Sequence, residues 1–127
     1  MNLPVTAAMI YTLMVTGVVV FQCCLIAGAP WGHLTQGGQR QGQLSMSGRI
    51  VAFLSIPLLL FMGAGITSAA GLWPDWATWT GWTALAVQAV VTCLNWITRS
   101  RSERQLWGPI TSVMAGLAAY VLASEPV

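Results

Sequence analysis

Four apolar runs, about residues 5–27, 50–70, 79–98 and 107–123, fill most of the chain and leave charge only between them. A helix rises 1.5 Å per residue, so about 20 residues cross a hydrocarbon layer of roughly 30 Å. The fourth run is short; it extends through Leu106 or sits where a bilayer thins. Charged residues make up 6% of the sequence, against roughly 25% in an ordinary soluble domain. With 56% apolar residues and a mean hydropathy of +0.70, the chain cannot clothe a water-facing surface, and its outside is expected to meet lipid. The expected fold is all-α: one integral membrane four-helix bundle over residues 1–127, running up-down-up-down. No basic residue precedes the first run and no convincing cleavage site follows it, so a secretory signal peptide is not expected.

The breaks between runs have physical causes. Gly28-Ala29-Pro30 stops the first, because proline cannot continue the hydrogen-bond ladder and pushes the residue before it out of the helical region. Pro57 lies inside the second run and is expected to kink it. Gly71-Leu72-Trp73-Pro74-Asp75 ends that run. Placement of charge then sets orientation. Arg40 and Arg49 fall at the first connection, and Arg99, Arg101 and Arg104 at the third; together they are all 5 basic residues. In a four-span chain those connections share a side, which the positive-inside rule assigns to the cytoplasm, with both termini on the outer side. Tryptophans mark the two borders: Trp73, Trp76, Trp79 and Trp82 at the outer one, Trp31, Trp96 and Trp107 at the inner one.

Between Gly28 and Ser47 the chain is irregular and rich in glycine and glutamine. Glycine tolerates positive φ, so this stretch is expected to form either a compact lid over the cytoplasmic end or a flexible linker. Trp31 and Leu34 favour the lid, being poor residues for a loose chain in water.

At membrane depth a polar stripe runs along the third helix. Gln88, Thr92, Asn95 and Arg99 are spaced by four, three and four residues, hence on one face, and Gly81 and Ala84 extend it. Thr12, Thr16 and Cys23 form a weaker stripe on the first helix, with Gln22 beside its end, and Gly108, Ser112, Ala115 and Ala119 a small-residue face on the fourth. These faces are expected to point at one another, since small residues let helices approach and amides bond across the gap. Gln88 needs a partner or a water, because an unpaired amide in hydrocarbon costs several kcal/mol. Two readings of this interior stay open. One is interhelical bonding alone, about 0.6 kcal/mol per bond. The other is a small cavity open at the cytoplasmic end, lined by Gln22, His33, Arg49, Gln88 and Asn95.

The residues exclude several chemistries. No carboxylate is expected within the membrane: Asp75 and Glu125 are placed outside and Glu103 in the third connection, so proton-coupled export lacks its carrier. Cys23 and Cys24 are adjacent and Cys93 is on another helix; all three are expected to be apolar packing rather than a redox pair. The single histidine, His33, is at an interface and does not suggest haem or metal ligation. No catalytic set, phosphate loop or metal cluster is present, no cofactor is implied, and no basic stripe suggests nucleic acid. In the third connection Glu103 is expected to pair with Arg101, Arg104 or Arg49, each exposed pair contributing about 0–1 kcal/mol. Contact with anionic headgroups explains the arginines without a protein partner.

The segments Ala27-Gly28-Ala29-Pro30-Trp31-Gly32, Gly48-Arg49-Ile50 and Leu94-Asn95-Trp96-Ile97-Thr98-x-Ser100-x-x-Glu103-Arg104-x-x-Trp107-Gly108-Pro109 resemble a family of small bacterial four-span membrane proteins. That family usually carries proline where Arg99 stands. The resemblance implies a bacterial inner-membrane location and no activity, and it singles out Trp31, Arg49, Asn95, Ser100, Glu103 and Arg104. Two functions are therefore expected to compete. One is a non-catalytic accessory protein that associates with itself or a larger complex through Gly65-x-x-x-Ala69 and Ala115-x-x-x-Ala119. The other is a binder or carrier of a small apolar or amphipathic molecule, with Gln22, Trp31, His33, Arg49, Gln88, Asn95, Arg99, Glu103 and Arg104 as its expected binding residues and lipid as the surrounding partner.

Overall fold

The computed structural model describes residues 2–124; Glu125 and the two chain ends expected on the outer side lie beyond them. Four helices follow one another: α1 Leu3–Ala27, α2 Met46–Ala69, α3 Thr78–Ile97 and α4 Arg101–Ala123. Each packs on the next and α4 returns to α1, closing a ring of four. Neighbours run antiparallel. Gly65 near the end of α2 meets Thr80 and Gly81 at the start of α3, and Gly81 in turn faces Leu122 at the end of α4. Phe21, late in α1, packs edge-on against Trp107, early in α4, with ring centroids 4.8 Å apart.

Three of the helices, α1, α2 and α4, are long and apolar enough to cross a membrane. At 20 residues, α3 is long enough, but Gln88, Asn95 and four threonines lower its apolar content. Of these polar residues Thr80 and Gln88 are buried, on the same inward face as Gly81 and Ala84.

Each helix start differs from the run that announced it. Asn2 accepts from Val5 N to cap α1, and Ser45 caps α2 through Gly48 N, so α2 begins four residues ahead of Ile50. The largest difference is in α4. Its first turns, Arg101 to Leu106, are too polar to be read as part of an apolar run, yet Ser100 caps them by accepting from Glu103 N at 3.2 Å. Ser-x-x-Glu is a helix-start signature, and the charged stretch is therefore mostly helix rather than turn. The link between α3 and α4 shrinks to Thr98–Ser100.

The inward faces are also partly other than expected. On α1 they are Ala7, Ala8, Tyr11, Val15 and Leu25; Thr16 and Cys23 are exposed, and Thr12 and Thr16 return their hydroxyls to carbonyls four residues back. On α4 they are Gly108, Thr111, Met114, Ala118, Val121 and Leu122, which leaves Ala119 outside. A hydroxyl that bonds its own helix has no need of the interior, so threonine spacing was a poor guide to the buried face. Cys23 and Cys93 are on the outer surface rather than in the core, and all three cysteines are free. Gly65 does not wait for a second chain: a Cβ there would lie 2.8 Å from Thr80 O, and one on Gly81 would meet Ala69 Cβ at 3.2 Å. The Gly65-x-x-x-Ala69 face is consumed inside the bundle.

Residues 28–45 form a hydrogen-bonded cover over one end. Two short 3-10 turns, Gly32–Leu34 and Gln36–Gly38, carry its middle. Gly32 N donates to Gly42 O at 2.8 Å, closing the loop on itself. Glycine is required at Gly38, where φ is +66° and a Cβ would run into the Ser100 side chain.

Candidate functional site

Under this cover lies a cavity of about 340 Å3, bounded by all four helices and the loop. Its depth is apolar, formed by Val18, Leu59, Met62, Val91 and Met114. Its loop end is polar: Gln22, Gln36, Asn95 and Glu103 face it there, beside Phe21 and Trp107. Lining residues that are themselves exposed come from α2 (Leu58), α3 (Leu94) and the loop (Gln36), which places the mouth where those three elements meet.

The helices hold this space open by different means. Toward its floor, Tyr11 on α1 donates to Gln88 Oε1 on α3 at 2.9 Å, and Gln88 Nε2 donates to Thr111 O on α4 at 3.2 Å. Thr92 Oγ1 also donates to Thr111 O, at 3.1 Å. Gln88, only 2% exposed, thus has the partners that its depth demands. Tyr11 was not foreseen; a tyrosine in an apolar run reads as bulk, and nothing in its spacing announces a bond to a residue 77 positions away. At the loop end, large side chains fill the corner between α1 and α4. Trp31 stacks on Phe21 with centroids 5.7 Å apart, and Trp107 Nε1 donates to Leu34 O at 2.8 Å.

Glu103 is the pivot of the site. It occupies the first turn of α4, ahead of the apolar run, and is 7% exposed. No ion pair to Arg101, Arg104 or Arg49 forms among the described residues. Instead Gly37 N donates to Glu103 Oε2 at 2.9 Å, while Ser100 Oγ donates to His33 O at 2.9 Å. Two residues of the α4 start therefore fasten the loop. The arginines are occupied elsewhere: Arg104 Nη1 donates to Thr98 O at 2.7 Å, and Arg49 donates to Leu44 O and Gln43 Oε1. Desolvation pushes the Glu103 carboxyl above the ordinary carboxylate range, and the Gly37 bond works against it.

Of the nine residues singled out from the sequence, the structure brings four to the cavity: Gln22, Gln88, Asn95 and Glu103. The other five do not line it. Trp31 covers Phe21 from outside, and His33 contributes its carbonyl rather than its ring. Arg49 braces the loop's exit, Arg99 is exposed in the α3–α4 link, and Arg104 closes that link through Thr98. Arginine at a helix end satisfies nearby carbonyls, which accounts for Arg49 and Arg104 turning away from the cavity. Gln36, Thr35 and Ser55 line it as well; the loop residues could not be placed without its folded path.

No family model, curated protein or solved structure matches this chain.

Proposed function

We propose that this protein is an integral membrane four-helix bundle, loop-covered end in the cytoplasm, that holds a small apolar or amphipathic molecule in the cavity between its helices. The observation that carries this reading is the cavity itself. A space of about 340 Å3 with an apolar floor and a polar collar falls in the size range of small-ligand sites, roughly 300–1,000 Å3. A bundle that needed only interhelical bonds would fill that volume with side chains, because close packing is worth more than a void.

Insertion is supported by the outer surface. Large apolar side chains such as Leu13, Phe53, Leu54, Val90 and Val113 are more than half exposed on all four helices, and water would not tolerate so continuous a coat. All five arginines gather at the loop-covered end, where the positive-inside rule puts the cytoplasm. Self-association is the weaker reading, because Gly65 and Ala69 are spent on α3 within one chain.

Native mass spectrometry of the purified full chain tests the proposal, reading stoichiometry and retained small molecules together. The expected result is a retained adduct that disappears when Met62→Trp fills the cavity floor. A protein that carries no adduct, and takes up none when small amphiphiles are supplied, overturns it.

A further inference from the structure

The unused hydrogen-bonding groups at the polar end of the cavity are unbalanced. Glu103 uses one carboxylate oxygen on Gly37 N; the other accepts no bond among the described residues, where no buried side-chain oxygen goes unpaired, so it opens on accessible space. Asn95 donates through Nδ2 to Val91 O, leaving Oδ1 unused; Gln36 donates through Nε2 to Gly48 O, leaving Oε1 unused. Gln22 makes no side-chain bond among the described residues. The spare donors are all uncharged, the Gln22 amide, the Thr35 hydroxyl and the second N–H of the Asn95 and Gln36 amides, while Ser55 donates to Val51 O. The strongest of the unused groups is the carboxylate, which an occupant meets by donating. The single charged side chain in the lining is Glu103, and none of the five arginines joins it. Arg99, Arg101 and Arg40 are exposed, so salt screens them over about 8 Å. Phe21 and Trp107 present aromatic surface beside the carboxylate, and aromatic faces attract cations.

Resting on the cavity reading above, we propose that the occupant is a single-chain amphiphile with an ammonium head. The head sits against Glu103, Asn95 and Gln36, and the tail runs down past Val18, Leu59 and Met62. The mouth between α2 and α3, edged by exposed Leu58 and Leu94, opens sideways, so the tail reaches its seat from the surrounding apolar phase without crossing the loop.

Three probes with one tail and different heads test this on the detergent-solubilised full chain: decylammonium, decanol and decanoate, counted as bound species by native mass spectrometry. The expected order is decylammonium, then decanol, then decanoate. Glu103→Gln, which keeps an acceptor for Gly37 N–H, is expected to abolish about a tenfold preference for the cation, the scale of one charge-assisted bond. Decanol retention in that variant shows that the cavity is intact. Asn95→Val, which leaves the Gly37 contact untouched, gives a second measure and is expected to weaken decylammonium more than decanol. Equal retention of the three probes, or a preference for decanoate, overturns the ammonium assignment while leaving the cavity as a binding site. Retention of none of them, or retention unchanged by Met62→Trp, overturns the cavity reading and this inference with it.

Discussion

The two ends of the bundle solve the same packing problem in opposite ways. At the Gly65 end, α2 and α3 touch backbone to backbone; Gly65, Gly81 and Ala69 leave no room for larger residues. The connection there is short and bonds locally, with Trp76 N donating to Ser68 Oγ at 2.9 Å and Thr67 Oγ1 donating to Trp73 O at 3.0 Å. At the Glu103 end, Phe21, Trp107 and a folded loop stand between the helices, and the bonds that matter join residues more than 60 positions apart. One end brings α2 and α3 together by removing side chains, and the other inserts a loop that covers the cavity among all four helices. Small residues make contact cheap in entropy and unforgiving in shape; a loop fastened by hydrogen bonds can enclose space.

The sharpest way to break this contrast is at Gly65. Gly65→Leu would drive a side chain into Thr80 and force α2 from α3; the expected loss is about 3 kcal/mol, the upper range for overpacking, read as a lowered unfolding midpoint by circular dichroism in detergent. Full stability would mean that the closed end is not closed by contact. Next comes the loop latch. Glu103→Ala removes the acceptor of Gly37 N–H, and a charged hydrogen bond is worth about 1.5–3 kcal/mol. Hydrogen exchange is expected to quicken at residues 34–43 and to stay unchanged at residues 65–81; uniform quickening would merge the two ends into one unit. Tyr11→Phe leaves Gln88 Oε1 without its donor, and the expected loss is about 0.6–1.7 kcal/mol, the range found for bonds between membrane helices. A double-mutant cycle with Gln88→Leu separates the pair's coupling from the packing change.

The smallest effect is on pH. Because the folded state holds the Glu103 proton more tightly than the unfolded chain does, its contribution to stability is fully present below the ordinary carboxylate value. It fades as pH rises through the raised folded-state value. Unfolding midpoints are expected to fall slightly as pH rises above the ordinary carboxylate value, and Glu103→Gln to flatten that slope.

Helix number and the inward place of Gln88 and Asn95 are readable from residues, because apolar length and the Gln88–Asn95 spacing leave few alternatives. Helix starts are not. Ser45 and Ser100 cap by hydrogen bonding, which hydropathy ignores, so the polar first turns of α4 read as a loop. Ion pairing of Glu103 was the natural expectation from its arginine neighbours, but at a helix start those neighbours point along the surface while Glu103 turns inward to Gly37. The loop's share of the cavity, Thr35 and Gln36, depends on positive φ at residues 36–38. No pattern of side chains encodes such a path when glutamine and glycine can adopt so many others.

Polar ties between helices run from Tyr11 through Gln88 to Thr111, and from Trp96 Nε1 to Ser112 Oγ at 2.8 Å. They rivet α1, α3 and α4 into a frame. Among the described residues α2 shares none of them; its side-chain bonds go to itself or to the loops at its two ends. Among the described residues, displacing α2 thus breaks dispersion contacts but no side-chain hydrogen bond to another helix, so the wall that borders the mouth is the one least tied to the frame.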